Sequence, residues 1–196
     1  MYCSSQRTYI CMKVLYLGAG AFWLLEAVYR EVKGVEEVIP GYMGGTVPNP
    51  TDEAVATGAT GHAEVIKIVY DESVISTEGL LRIFYALHDP AAPAHSGRGI
   101  GSQYRPVIFY TDEEEAEADD PQNGESVGVI QKFVQQIQHS LPAGTPVRTE
   151  ILTATEFYPA DESHYNYYAQ YRDDSYSLAI IEPKLKEIKD RFYLLF

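Results

Sequence analysis

The sequence predicts an α+β protein, a two-layer sandwich of helices on a sheet around one core. Apolar runs of strand length alternate with segments of helical period, which is the pattern of mixed rather than all-α or all-β folds. The chain has 196 residues, 45% of them hydrophobic, enough to bury one substantial core. Neither an internal repeat nor a linker interrupts it.

The elements follow in order. Residues 14–17 read as a short buried strand. Residues 22–32 form the next helix, with Phe22, Leu25, Tyr29 and Val32 at helical spacing and Gly34 as its stop. The stretch GYMGGTVPNP, 41–50, holds too many glycines and prolines for regular structure and reads as a loop. HAEVIKIVY, 62–70, is a strand apolar on both faces, hence a central one, with His62, Glu64, Ile66 and Ile68 on one side. Ser76 caps a helix reaching His88 whose inner face carries Leu80, Leu81, Phe84 and Leu87. Residues 104–110 are another strand.

Thr111 caps an acidic first turn, 112–120, which the helix dipole favours. PQNG at 121–124 breaks that helix, and a new one from Glu125 buries Val127, Ile130, Val134 and Ile137. A strand follows at 147–152, then helices over 161–171 and 182–192, the last with Leu185, Ile188 and Phe192 inward.

Bulk charge excludes some functions. With a net charge of −13 the surface repels phosphate backbones and anionic membranes, so neither nucleic acid nor membrane is expected as a partner. The two cysteines, Cys3 and Cys11, sit in the first eleven residues and cannot staple the body of the fold or complete a zinc site. Residues 14–25 are uncharged and follow Arg7 and Lys13, as in a secretory signal, but two glycines break the run and Glu26, Arg30 and Glu31 continue it as an amphipathic helix. A cytoplasmic location is therefore expected. Met12 opens MKVLYLGAG as a natural initiation point, so 1–11 is read as an extension and 12–196 as a single domain.

The segment GAGAFW, 18–23, begins like a dinucleotide-binding turn. The third glycine of that fingerprint should fall at position 23, where close helix packing requires it, and Trp23 is too bulky. Taken with GYMGGTVPNPT, TGHAEVIKIVYD, HDP, GSQYRPVIFYT and FYPADESHYNYY in the same order, it resembles the peptide methionine sulfoxide reductase A family over about 14–192. That resemblance implies an α/β sandwich with a ferredoxin-like core. It also implies thiol-dependent reduction of the S-epimer of methionine sulfoxide, free or in peptides, a repair reaction of oxidative stress with thioredoxin as electron donor and no bound cofactor or metal.

The chemistry needs a thiolate to attack the electrophilic sulfur and an acid to protonate the departing oxygen. The resemblance places the nucleophile at position 21, which is Ala21, and a methyl group cannot attack sulfur. The binding half is kept: Phe22 and Trp23 match the cradle for the substrate methyl, Glu64 the acid, and Tyr104 a tyrosine that holds the sulfoxide oxygen. Other positions depart from the family. Asp52 replaces a tyrosine, Ala56 a cysteine, His95 an arginine, Gly99 an aspartate, and Ser177 falls where many members carry a resolving cysteine. From position 11, on the way into the first strand, Cys11 starts about 30 Å from position 21 and does not replace the missing thiol.

Three readings stay open at this point. The chain is a family member that binds methionine sulfoxide without reducing it; or it represents an active peptide-methionine (S)-S-oxide reductase through an inactivated variant; or His62 and Glu64, with His88 or His164, serve metal-assisted hydrolysis, although the family blocks account for these histidines without metal.

Overall fold

The computed structural model describes residues 12–92, 101–111 and 128–196. The extension 1–11 with Cys3 and Cys11, the positions His95 and Gly99, the acidic run 112–120, and the start of the helix expected from Glu125 with Val127 lie outside these residues.

β1 (Met12–Gly18) leads through a tight loop into α1 (Phe22–Tyr29), and β2 (Val35–Met43) returns antiparallel to β3 (Ala63–Asp71). A one-turn helix, α2 (Asp52–Ala56), sits in the β2–β3 connection, capped by the Thr51 hydroxyl. α3 (Thr77–Leu87) then crosses to β4 (Val107–Tyr110). These units form a βαββαβ core with sheet order β4-β1-β3-β2, all antiparallel, the ferredoxin-like arrangement expected from the resemblance. Two additions widen it among the described residues. β5 (Glu150–Thr153) joins β4 in parallel, and the two-residue β6 (Tyr158–Pro159) pairs with β2.

Side chains alternate across the sheet, so each face has its own partners. Leu15, Leu17, Ile66, Ile68 and Ile108 face Leu25 and Val28 of α1 and Leu80, Leu81 and Phe84 of α3. The same cluster takes Ile130 and Phe133 of α4 (Val129–Ser140), and Leu185 and Ile188 of a C-terminal helix described below. Across the sheet, Met43, Val65, Val107 and Phe109 pack with Tyr16 of β1 and with Ala154 and Phe157 from the β5–β6 connection. β3 is interior, as its doubly apolar sequence predicts.

Several expectations need correction. β2 runs through Pro40 and Gly41 into residues read as loop. Pro40 lacks a donor but still accepts from Ala160 N–H at 3.0 Å, and a side chain at Gly41 would meet the Tyr158 carbonyl at 2.4 Å. Gly and Pro here serve close approach at the strand flanked by short β6, not chain reversal. The turn begins only at Gly44, with φ +83°. The strand expected over 104–110 starts at Val107, because Ser102–Tyr104 is a 3₁₀ turn. β5 is similarly shorter than expected.

The helix expected over 161–171 is not continuous. Glu162–His164 forms a 3₁₀ turn, Asn166 adopts left-handed φ +52°, and α5 (Tyr167–Gln170) is a single turn. The C-terminal helix begins as a turn of π-helix, Ser177–Ile181, and continues as α6 (Glu182–Arg191). No helix among the described residues is long and apolar enough to cross a membrane.

Candidate functional site

The site forms where the 18–23 and 101–105 loops meet Glu64 of β3 at the C-terminal end of β1. A side chain at Gly18 would meet the Glu64 carbonyl at 2.6 Å, so β1 and β3 approach closely there. Gly20, at φ +83°, turns the chain and donates its N–H to the Tyr104 carbonyl at 3.0 Å. That bond fixes the 18–23 loop to the 101–105 loop. Arg105 secures the latter from beneath by donating to the Ser102 and Gly61 carbonyls and to Glu150.

Ala21 occupies the N-cap of α1 and offers no capping side chain. The Glu64 carboxylate serves instead, accepting from Phe22 N–H at 3.2 Å. Glu64 projects from β3 toward α1 and is buried. Burial raises its pKa to about 8; the Phe22 N–H opposes that rise and the nearby Asp52 charge adds to it. At pH 7 the carboxyl is therefore largely protonated. It can donate a hydrogen bond that an ordinary carboxylate cannot. Tyr104 shifts upward as well, first through burial and then through the charge at Glu64.

An aromatic wall rises beside these groups. Trp23 stacks on Tyr167 with ring centroids 4.2 Å apart and on His164 at 5.7 Å, and meets Tyr176 edge-on at 5.5 Å. Phe22 lies beneath, fully buried, in contact with Trp23, Tyr42 and His164. A cavity of about 260 Å³ opens between Gly20, Ala21, Trp23, Tyr104, Tyr176 and Ile180. Three of the five positions singled out from sequence, Ala21, Trp23 and Tyr104, line this opening; the other two adjoin it, Phe22 through its ring contact with Trp23 and Glu64 through its bond from Phe22 N–H. A second, more polar cavity of about 470 Å³ is lined by Tyr42, Thr51, Asp52, Glu53, Asp161 and His164.

The described positions at which the resemblance leads one to expect other residues have defined surroundings. Asp52 accepts the Tyr42 hydroxyl at 2.8 Å. Ala56 ends α2, and its carbonyl accepts from Gln103. Ser177 is completely buried, and its hydroxyl has no hydrogen-bond partner.

His62 and His88 are committed to the fold. His62 immediately precedes β3. Its Nδ1 accepts from Gly45 N–H at 3.0 Å, and its Nε2 lies 2.8 Å from the Val47 carbonyl. His88 Nδ1 lies 2.9 Å from the Phe84 carbonyl, and burial depresses its pKa to about 4. Among the described residues no group of three or more His, Cys, Asp or Glu is placed to hold a metal ion. With both His62 nitrogens engaged by backbone, the hydrolytic reading loses its first ligand.

Sequence reasoning missed Glu26. It is 1% exposed, yet its carboxylate accepts from Asn166 N–H at 2.6 Å, Tyr167 N–H at 3.3 Å and Arg30 Nε at 3.0 Å. These bonds pin the left-handed Asn166 and so place Tyr167 on Trp23. The one available signal was an acidic residue at helical spacing from Phe22 and Tyr29, on the inward side of α1.

Residues 13–194 match the family described as peptide methionine sulfoxide reductase. The chain is 40% identical to "Peptide methionine sulfoxide reductase MsrA" of Polynucleobacter asymbioticus, over 90% of this chain and 87% of that one. It is also 40% identical to the protein of that name from Sulfolobus acidocaldarius, over 92% and 96% respectively. Among solved structures, methionine sulfoxide reductase A of Corynebacterium diphtheriae superposes with a TM-score of 0.72 at 28% identity, covering 85% of this chain and 78% of that one.

Proposed function

The chain belongs to the peptide methionine sulfoxide reductase family, and from that premise we propose that it binds methionine (S)-sulfoxide, free or in peptides, without reducing it by thiol chemistry. The observation that carries this reading is Ala21 at the N-cap of α1, beside the cavity that Trp23 and Tyr104 line. A helix N-terminus would lower the pKa of a cysteine there, but a methyl group supplies no electron pair for sulfur.

The binding half has what a sulfoxide requires. Trp23, backed by Phe22, offers an apolar wall to the S-methyl group. The protonated Glu64 carboxyl and the Tyr104 hydroxyl are donors for the S–O oxygen. With a nucleophile the same Glu64 would pass its proton to that oxygen as the S–O bond breaks. Without one the geometry ends at recognition. No cysteine falls among the described residues, so none of them offers thioredoxin a thiol in this cleft, and thioredoxin is a donor only on the alternative reading.

That alternative, an active peptide-methionine (S)-S-oxide reductase seen through an inactivated variant, is favoured by the near-complete coverage of relatives that carry the reductase name. One assay separates the two. With dithiothreitol as donor, the unmodified chain is expected to release no methionine from an S-sulfoxide, while Ala21→Cys gains turnover. Reduction by the unmodified chain would refute the proposal. A folded Ala21→Cys protein without activity would mean that the cleft has lost more than its nucleophile.

A further inference from the structure

His164 lines the polar cavity and packs against the aromatic wall of the other. Its ring contacts Phe22 and Trp23, with centroids 5.5 and 5.7 Å away, while its Nε2 lies 3.8 Å from Asp52 Oδ1. A single imidazole therefore separates the aromatic wall from the Asp52 carboxylate. The Tyr42 hydroxyl holds Oδ1 at 2.8 Å, and the Asp52 side chain is 44% exposed. Position 52 is also where the family resemblance sets a tyrosine, whose neutral phenol cannot select for ligand charge.

Resting on the reading that the cleft receives methionine sulfoxide, we infer that Asp52 makes the site selective for sulfoxide ligands that carry an ammonium group. Three carbons separate the sulfur of methionine sulfoxide from its amino nitrogen, a reach of about 5 Å. A sulfoxide seated against Trp23 thus brings an unblocked α-ammonium past the His164 edge toward Asp52, where N-acylation leaves a neutral amide. The net charge of −13 draws cations from further away. The cation comes either from the first residue of a peptide or from a basic side chain beside an internal methionine sulfoxide.

Calorimetric titration at pH 6 tests this, because α-amino groups are then protonated and Glu64 remains protonated too. The probes are methionine (S)-sulfoxide N-methylamide with its amine free or acetylated, and acetyl-methionine sulfoxide followed by lysine amide or alanine amide. The unmodified chain is expected to prefer the cationic member of at least one pair by about fivefold, as for one partly exposed charge pair. Preference within the first pair assigns the α-ammonium, and within the second the basic side chain. Asp52→Asn keeps an oxygen for the Tyr42 hydroxyl and should abolish the preference. Raising salt to 0.5 M should weaken it in the unmodified chain, a measurement that needs no variant. Equal affinity within both pairs, or a preference insensitive to salt, overturns the inference while leaving sulfoxide binding intact. Failure of all four probes to bind overturns both.

Discussion

Replacing Glu64 by Gln removes a charge that the fold suppresses, and the consequence is a pH-dependent change in stability. In the folded chain the carboxyl keeps its proton up to about pH 8, against an ordinary value of 4.5. Between those values the folded state binds more protons than the unfolded chain, so stability falls as pH rises. Below 4.5 both states hold the proton, and above 8 both have released it. Burial is the main cause, and Phe22 N–H is the hydrogen-bond donor that opposes it. Each pH unit across the window costs about 1.4 kcal/mol, giving about 3–5 kcal/mol in all.

Urea unfolding of both proteins between pH 4.5 and 9 reads this directly. The difference between them cancels the background from the other acidic residues. The unmodified chain should lose about 3–5 kcal/mol relative to Glu64→Gln by pH 8 and then run parallel to it. A stability difference constant across the range would refute the argument, since Glu64 would then titrate as an ordinary exposed carboxylate. Sulfoxide affinity should fall through the same pH 8 transition, as the donor becomes an acceptor.

Two further outcomes follow from buried polar groups. Glu26→Gln keeps the volume but loses the charge that accepts three N–H donors, so it should cost about 2–4 kcal/mol in urea unfolding and red-shift Trp23 emission as Tyr167 loosens; unchanged emission would detach Glu26 from the aromatic wall. Ser177→Ala removes a hydroxyl that is buried without a partner, and should be neutral or stabilise by about 0.5–1 kcal/mol in thermal or urea unfolding. A clear loss of stability would show that the hydroxyl has an acceptor.

The sheet core was legible because its signals are local. Residues 62–70 alternate over a doubly apolar strand, and Ser76 marks the α3 N-terminus by the kind of side chain that caps helices; its hydroxyl accepts from Gly79 N–H at 3.2 Å. β2 was partly illegible because Pro40 and Gly41 carry turn signals that describe a single residue's freedom. The chain uses them for contact with β6, which arrives more than a hundred residues later. The break at Asn166 was equally hidden, because the carboxylate that stabilises it belongs to Glu26.

The sequence by itself determined which chemical groups exist. Position 21 has no sulfur, Glu64 and Tyr104 are present, and an aspartate stands at position 52. Tertiary structure alone decided their states: that Glu64 caps α1 and keeps its proton, that Asp52 takes the Tyr42 hydroxyl, that His62 is spent on backbone, and that His88 is held between the Phe84 carbonyl and the Thr149 hydroxyl. The physical reason is that residue identity fixes what a group can donate or accept, whereas burial and partners distant in sequence fix what it does donate or accept at a given pH.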